Sequence, residues 1–171
     1  DDLVKLIKGS DLVGITLMSN FWDNAVQITK KVKENCNALV IWGGTHPTIR
    51  PEECLDHADM VCIGEGEETL IELTRKMKNK QDYYETKGMG FNNKGKKIVN
   101  KFRELPGSEK AIIKSLDQLP FQDHDYKSQF VMNKGNIVKM NLELVTHLRL
   151  SEFYQTQPTR GCPFACTFCV N

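Results

Sequence analysis

Residues 11–44 read DLVGITLMSNFWDNAVQITKKVKENCNALVIWGG and predict a strand, a helix and a second strand. Asp11 to Met18 is an apolar run with turn-forming residues on both sides. From Asp23 onward, apolar residues recur at spacings of three and four between charged ones, which is typical of an amphipathic helix. Ala38 to Trp42 is another apolar run and ends at two glycines. Because parallel neighbours need a crossover connection, this order favours a parallel sheet.

The same alternation continues to residue 78. Met60 to Ile63 is a third apolar run, and the next residues, GEG, precede a helical pattern with acidic residues in its first turn and lysines in its last. Val4 to Lys8 looks like the end of a helix whose preceding strand is absent from the sequence. We therefore predict an α/β fold with a partial, doubly wound parallel sheet of the Rossmann-like kind, lacking at least one βα unit.

Beyond residue 80 the pattern changes. Gly88 to Phe91 and Lys97 to Asn100 flank a turn and predict a small hairpin, which we expect to be a peripheral addition. A weaker pattern around Gly135 predicts another hairpin, and Glu152 to Thr159 is a predicted strand. The expected divisions are a sheet domain over 1–80, a hairpin and linker over 81–152, and the start of a further domain over 153–171.

Composition and charge exclude some classes of function. Hydrophobic residues make up 40% of the 171 residues and charged residues 26%, which suits a packed core. The formal net charge of +1 gives no field to steer nucleic acid or an anionic membrane, so we expect neither as a partner. The longest wholly apolar run, Ala38 to Trp42, is far short of the roughly 20 residues that cross a bilayer. Since the sequence starts with Asp and ends two residues after its last cysteine, we expect an excerpt from a longer protein.

Three cysteines close to the end of the chain form the strongest chemical signal. The stretch TRGCPFACTFC, residues 159–169, separates Cys162, Cys166 and Cys169 by three and then two positions. Three thiolates on one small loop suit a metal or an iron–sulfur cluster better than disulfides. A structural zinc site would want a fourth ligand, and the nearest histidine, His147, is not placed as one. The spacing favours a cluster and leaves zinc or reduced structural cysteines as alternatives.

This CxxxCxxC loop resembles the hallmark of the radical S-adenosylmethionine (SAM) superfamily, which usually has an aromatic residue before the last cysteine, as Phe168 is here. The resemblance implies that the three cysteines hold three irons of a 4Fe-4S cluster and that SAM chelates the fourth. The cluster would then cleave SAM to methionine and a 5′-deoxyadenosyl radical, using an electron donor such as flavodoxin or ferredoxin. Phe168 would pack near the adenine, although a core aromatic is an equally good interpretation.

A second motif lies at the predicted strand ends. Residues 42–48 read WGGTHPT and residues 63–69 read IGEGEET, so glycine turns follow adjacent parallel strands. Such turns put bare backbone at the edge where open α/β sheets bind ligands. Thr69 stands where the third glycine of GxGxxG belongs, which weakens a dinucleotide interpretation. The two stretches resemble the cobalamin-binding domain that precedes the radical domain in one branch of the superfamily.

That resemblance implies that the strand ends hold the lower nucleotide tail of the corrinoid. His46 is a candidate for contact with the corrinoid or a phosphate, or else a structural residue of the turn. Glu65 is a candidate for ribose or corrinoid amides, whereas Glu67 is better explained as a helix cap. The family's cobalt-ligating histidine belongs after a strand that this sequence lacks. The remaining positions that the resemblance carries over are Ser19, Gly43, Gly44, Thr45, Gly64 and Gly66.

Together, the two motifs predict the N-terminal part of a cobalamin-dependent radical SAM enzyme, which by resemblance ends at the first strand and cluster loop of a partial βα barrel. By resemblance the reaction is radical methyl transfer from methylcobalamin to an unactivated carbon of a small-molecule substrate. Two alternatives stay open: a non-methylating reaction such as oxidative cyclisation of magnesium-protoporphyrin ester, and a corrinoid carrier or sensor module. The scattered Cys36, Cys54 and Cys62 are expected to be buried thiols, which with the cluster motif indicates a reducing cytoplasm. The chain alone is expected to be inactive and to bind cobalamin weakly at best.

Overall fold

The computed structural model describes residues 2–105, 107–121, 123 and 125–147, together with 160–162, 164, 166, 167 and 169. Its helices are α1 (Asp2–Ile7), α2 (Trp22–Asn35), α3 (Thr45–Ile49), α4 (Pro51–Cys54), α5 (Glu67–Lys78) and α6 (Leu142–His147). Its strands are β1 (Leu12–Thr16), β2 (Leu39–Gly43), β3 (Met60–Cys62), β4 (Met89–Asn93), β5 (Lys96–Val99), β6 (Phe130–Asn133) and β7 (Asn136–Lys139). Single 3-10 turns occur at Ser19–Phe21, Leu116–Gln118 and Tyr126–Ser128.

The first three strands form the parallel core of the sheet. β1 pairs with β2 in parallel, with Leu12 opposite Leu39, and β2 pairs with β3 in parallel, with Ile41 opposite Met60. Within the described residues the sheet has the order β1-β2-β3-β4-β5. The predicted α/β fold with a parallel Rossmann-like layer is therefore confirmed.

The hairpin of β4 and β5 belongs to this sheet and is not a separate addition. β4 runs antiparallel to β3, with Met89 opposite Cys62. A Cβ built on Gly90 would lie 2.7 Å from Val61 Cγ2, so a residue without a side chain lets the two strands approach. Phe91 is fully buried beside β3. The sheet is thus mixed, and the buried first half of β4 covers the edge that β3 would otherwise expose.

Alternating residues of the strands bury two different faces, as a doubly wound sheet requires. On one face Val40, Trp42 and Val61 pack with Val32 of α2. On the other face Ile41, Met60 and Cys62 pack with Leu73 of α5 and with β4. The indole Nε1 of Trp42 donates a hydrogen bond to Thr29 Oγ1 at 2.8 Å, so the largest core side chain has its polar atom paired.

The rest of the described chain contributes a smaller unit. β6 and β7 form the second predicted hairpin, around Lys134 and Gly135. The predicted strand over 152–159 lies outside the described residues, and the proposed division at residue 80 stays a prediction. Among the residues that the structure describes, no helix has the length and apolar character needed to span a membrane.

Candidate functional site

The carboxyl ends of β1, β2 and β3 meet at one edge, and backbone hydrogen bonds join the loops that follow. Leu17 N–H donates to Gly43 O at 2.9 Å, and His46 N–H donates to Leu17 O at 3.4 Å. Gly44 turns the chain between them with a φ of 98°. A Cβ at Gly44 would lie 2.8 Å from Leu17 O, so the fold itself requires glycine there.

Thr48 connects the two glycine turns. Its Oγ1 donates to Gly44 O at 2.8 Å and accepts from Gly64 N–H at 3.0 Å. Gly64 has a φ of 76°, which favours glycine at this turn as well. The structure therefore brings the two predicted motifs together through a residue that sequence reasoning did not select, although Thr48 lies inside the quoted WGGTHPT stretch.

Gly43 and Gly66 differ from Gly44 and Gly64. Neither has a positive φ, and a Cβ on Gly43 would meet Cys62 Cβ at an ordinary 3.8 Å. A Cβ on Gly66 would meet Leu70 Cδ1 at 3.5 Å. The fold alone does not demand glycine at these positions, so close approach of a ligand to the backbone remains an explanation for them.

His46 and Ser19 form a polar pair beside the glycine turns. Ser19 Oγ lies 2.8 Å from His46 Nδ1, and the imidazole packs on Trp22 with 4.9 Å between ring centroids. His46 is only 9% exposed. Its Nε2 is buried and has no hydrogen-bond partner among the described residues, the Glu53 carboxylate being 4.0 Å away. The ring therefore has one hydrogen-bonded nitrogen, Nδ1, and one nitrogen, Nε2, that is available to a ligand. The neighbouring Thr45 is exposed.

The acidic residues of the second glycine turn are occupied by an arginine. Arg160 donates through Nη1 to Glu65 Oε2 and through Nη2 to Glu67 Oε1, the latter at 2.8 Å. Glu67 is the first residue of α5, but the prediction that it caps the helix is wrong, because Gly66 is the N-cap and no side chain caps the helix. The other oxygen of Glu67, Oε2, is buried without a partner among the described residues. In this arrangement both carboxylates bind Arg160 of the same chain.

The predicted cluster cysteines lie just beyond Arg160. Cys162, Cys166 and Cys169 are free and exposed, and Cys169 N–H donates to Cys166 O at 3.0 Å, which closes a turn between them. Within the described part of the chain no three His, Cys, Asp or Glu side chains are gathered tightly enough to hold a metal ion. Three free thiols are a suitable donor set for iron. The cluster assignment itself stays a prediction. Phe168 lies outside the described residues.

The other three cysteines are placed differently. Cys54 and Cys62 are buried, and Cys36 is half-buried at the end of α2. Burial raises the pKa of the Cys54 thiol to about 12 and that of Cys62 to about 11. Both thiols are therefore protonated at neutral pH and poorly suited to bind a metal.

A second arginine holds the other side of α5, and sequence reasoning missed it. Arg103 Nη1 lies 3.5 Å from Glu68 Oε2, its Nη2 bonds to Glu72, and its Nε donates to Thr69 Oγ1 at 3.2 Å. Glu68 is buried and also accepts from Ile113 N–H at 2.6 Å. Although burial pushes the pKa of Glu72 upward, hydrogen bonds from Lys76 and Arg103 outweigh it and lower that pKa.

Comparison with known families identifies the sheet. Residues 1–74 match the model of the B12 binding domain. This part of the chain is similar to the B12-binding domain family. The predicted resemblance to a cobalamin-binding domain is thereby confirmed.

Two curated relatives align along nearly the whole chain. It is 28% identical over 174 residues to a Pyrococcus horikoshii protein described as an uncharacterized methyltransferase, which covers 98% of this chain and 33% of that protein. It is 25% identical over 161 residues to the bacteriochlorophyllide d C-8(2)-methyltransferase of Chlorobaculum tepidum, which covers 94% of this chain and 28% of the relative. The chain thus spans about a third or less of these relatives.

Solved structures share the fold of more than half of this chain. The radical SAM methyltransferase TsrM from Kitasatospora setae superposes with a TM-score of 0.53 at 18% identity, covering 58% of this chain and 21% of TsrM. The cobalamin-dependent SAM radical enzyme OxsB superposes with a TM-score of 0.53 at 19% identity, covering 64% of this chain and 16% of OxsB. At these identities the likeness establishes the fold.

Proposed function

We propose that this chain binds cobalamin at the carboxyl edge of its sheet and carries the cluster loop of a cobalamin-dependent radical SAM methyltransferase. The observation that carries the proposal is the meeting of two motifs at one edge. The two glycine turns lie at this edge, and Arg160, two residues before Cys162, is bonded to Glu65 and Glu67 of the second turn.

The residues at the edge fit a corrinoid tail. No neighbouring group in the fold requires glycine at Gly43 or Gly66, so a ligand can use the space beside their backbone. The buried, unpartnered Nε2 of His46 lies beside these turns and can exchange a hydrogen bond with a polar group of a ligand. Ser19 holds the imidazole through Nδ1 and so fixes the direction in which Nε2 points. Ser19, Gly43, His46, Gly64 and Gly66 are the residues that we expect at the corrinoid.

Cys162, Cys166 and Cys169 would hold the 4Fe-4S cluster and leave one iron for SAM. When bound, the cobalamin supplies the methyl group, and the cluster with SAM supplies the radical chemistry that activates the substrate carbon. The chain's own part is to hold the two cofactor sites at one edge of the sheet, with a flavodoxin or ferredoxin as electron donor. The buried, protonated Cys54 and Cys62 do not compete for iron.

Methyl transfer is favoured over other radical reactions by the relatives. Both curated relatives are named as methyltransferases, and one of them is named for methylation of a bacteriochlorophyllide. TsrM is likewise a radical SAM methyltransferase. Because the chain spans a third or less of the curated relatives, the reaction is proposed for a longer protein that contains it.

The test is product analysis on such a longer protein, reconstituted without oxygen from iron, sulfide, cobalamin, SAM and a reductant. Methyl transfer from SAM leaves S-adenosylhomocysteine, and reductive cleavage leaves 5′-deoxyadenosine. We expect both products from the wild type, loss of 5′-deoxyadenosine in Cys162→Ala, and no change in the matched control Cys36→Ala. 5′-Deoxyadenosine without S-adenosylhomocysteine would favour a non-methylating reaction. Bound corrinoid with neither product would favour a carrier or sensor module.

A further inference from the structure

The acidic turn GEGEE, residues 64–68, meets the segment that leads into the cluster loop. Arg160 lies 95 residues after Glu65 and 93 after Glu67, yet its guanidinium bonds to both carboxylates. A planar guanidinium that reaches two carboxylates fixes direction as well as distance, which a single ammonium does not. The contact therefore joins two distant parts of the sequence in a defined orientation.

Burial makes this contact stronger than an ordinary surface ion pair. The Arg160 side chain is 19% exposed, and those of Glu65 and Glu67 are 31% and 30% exposed. Charges that are partly removed from water attract each other more than fully exposed charges do. Arg103 bonds to Glu68 and Glu72 of α5, so the helix that begins at Glu67 is itself anchored by ion pairs.

A second close approach involves the next residue. Gly161 has a φ of 77°, and a Cβ built on it would lie 3.3 Å from Leu105 Cδ1. The backbone of Gly161 thus passes against the linker while Arg160 is bonded to the sheet edge. Cys162 follows directly, so both contacts act on the amino end of the cluster loop.

We propose that Arg160 is a positioning residue, and that Glu65 and Glu67 are its docking site, which sets the cluster loop on the corrinoid edge of the sheet. Glu65 then acts on the protein's own loop and does not bind ribose or corrinoid amides. The meaning of this docking for catalysis rests on the proposed function, but the docking itself exists without cofactors and can be measured without them.

Trypsin provides the test, because it must take the Arg160 side chain into its own pocket to cleave the Arg160–Gly161 bond. Cleavage at this bond then reports the undocked population, provided that docking exchanges quickly. Cleavage after Lys134, in the exposed β6–β7 turn, serves as the reference bond in the same sample. The test variant is Glu65→Gln with Glu67→Gln, and the matched control is Glu52→Gln with Glu85→Gln, which removes two exposed carboxylates elsewhere.

We expect the test variant to be cleaved at Arg160 about tenfold faster than the wild type, relative to Lys134, which corresponds to about 1.4 kcal/mol of docking free energy. The control should match the wild type. Glu65→Asp with Glu67→Asp, which keeps both charges, should restore part of the protection. Raising the salt to about 1 M should speed cleavage of the wild type and leave the Gln variant unchanged.

An increase below about threefold, or an equal increase in the control, would overturn the proposal. Circular dichroism and thermal unfolding of each variant must match the wild type, because Arg160 exposed by general unfolding would raise cleavage after Lys134 too. A cobalamin titration of the longer protein that carries the same substitutions tests the proposed function separately. Loss of docking with intact cobalamin binding, or the reverse, distinguishes the two claims.

Discussion

Ser19 Oγ lies 2.8 Å from His46 Nδ1, although 27 residues separate them in sequence. Ser19 begins the turn after β1, and His46 follows the glycine turn after β2. The pair therefore ties together two loops at the sheet edge where the cobalamin site is proposed. Since Nδ1 is engaged, the buried Nε2 is the nitrogen left for a ligand.

Ser19→Ala is expected to lower the free energy of unfolding by about 1 kcal/mol, because it leaves the buried Nδ1 without its partner. Cobalamin binding should weaken as well, since the imidazole loses its fixed direction. Chemical denaturation and a spectral titration with cobalamin measure the two effects. Ser10→Ala, in an exposed turn at the opposite end of β1, is the matched control and should change neither.

Gly43→Ala and Gly44→Ala should separate a ligand role from a folding role. At Gly43 a Cβ meets only ordinary contacts, so stability should hold within about 0.5 kcal/mol while cobalamin affinity falls about tenfold. At Gly44 the positive φ and the close Leu17 carbonyl should cost about 2 kcal/mol or more. Thermal unfolding and cobalamin titration check both. If Gly43→Ala and the wild type bound cobalamin with equal affinity, Gly43 would have no role in cobalamin binding.

The cysteines should fall into two classes of reactivity. In the chain without iron, Cys162, Cys166 and Cys169 are exposed and should be alkylated by iodoacetamide within minutes at neutral pH. Cys54 and Cys62 are buried with raised pKa values, so their alkylation should require unfolding. Mass spectrometry of timed samples locates each modified residue. Rapid modification of Cys62 in the folded chain would contradict the packing described for β3.

Glu72 should contribute a pH-dependent part of the stability. Its folded pKa lies below the ordinary value of 4.5, so the unfolded chain takes up the proton first as pH falls. The stabilisation is therefore complete above about pH 4.5 and is lost as the pH falls through the lowered pKa. Glu72→Gln should be less stable than wild type at pH 7, and the difference should shrink by pH 3. Urea unfolding at several pH values measures this, and a constant difference would refute it.

Much of the fold was predictable because the parallel strands are short apolar runs, two of which end at glycine turns. Runs buried on both faces and separated by amphipathic helices leave few arrangements other than a parallel sheet. The place of the β4–β5 hairpin was not predictable in this way. Its attachment depends on the close approach of Gly90 to Val61, a contact between strands that no local pattern reveals.

The site was predicted in part. Sequence spacing located the glycine turns and the cysteine loop, since these depend on residue types close together in the chain. It missed Thr48, Arg103 and the contact of Glu65 with Arg160. Each of these depends on a partner far away in the sequence, such as Arg160 for Glu65. Nothing in the sequence around Arg160 indicates that its side chain binds the distant Glu65 and Glu67.

The central claim is that one protein holds a corrinoid and a three-cysteine cluster at the same edge of the sheet. Its most direct test is paramagnetic resonance, with visible absorption, of the anaerobically reconstituted longer protein in its reduced state. We predict separate signals of a reduced 4Fe-4S cluster and of cob(II)alamin in the wild type. In Cys162→Ala/Cys166→Ala/Cys169→Ala we predict loss of the cluster signal with cobalamin retained. A wild type that binds cobalamin but forms no reducible cluster, or a triple variant that keeps the cluster, would contradict the account.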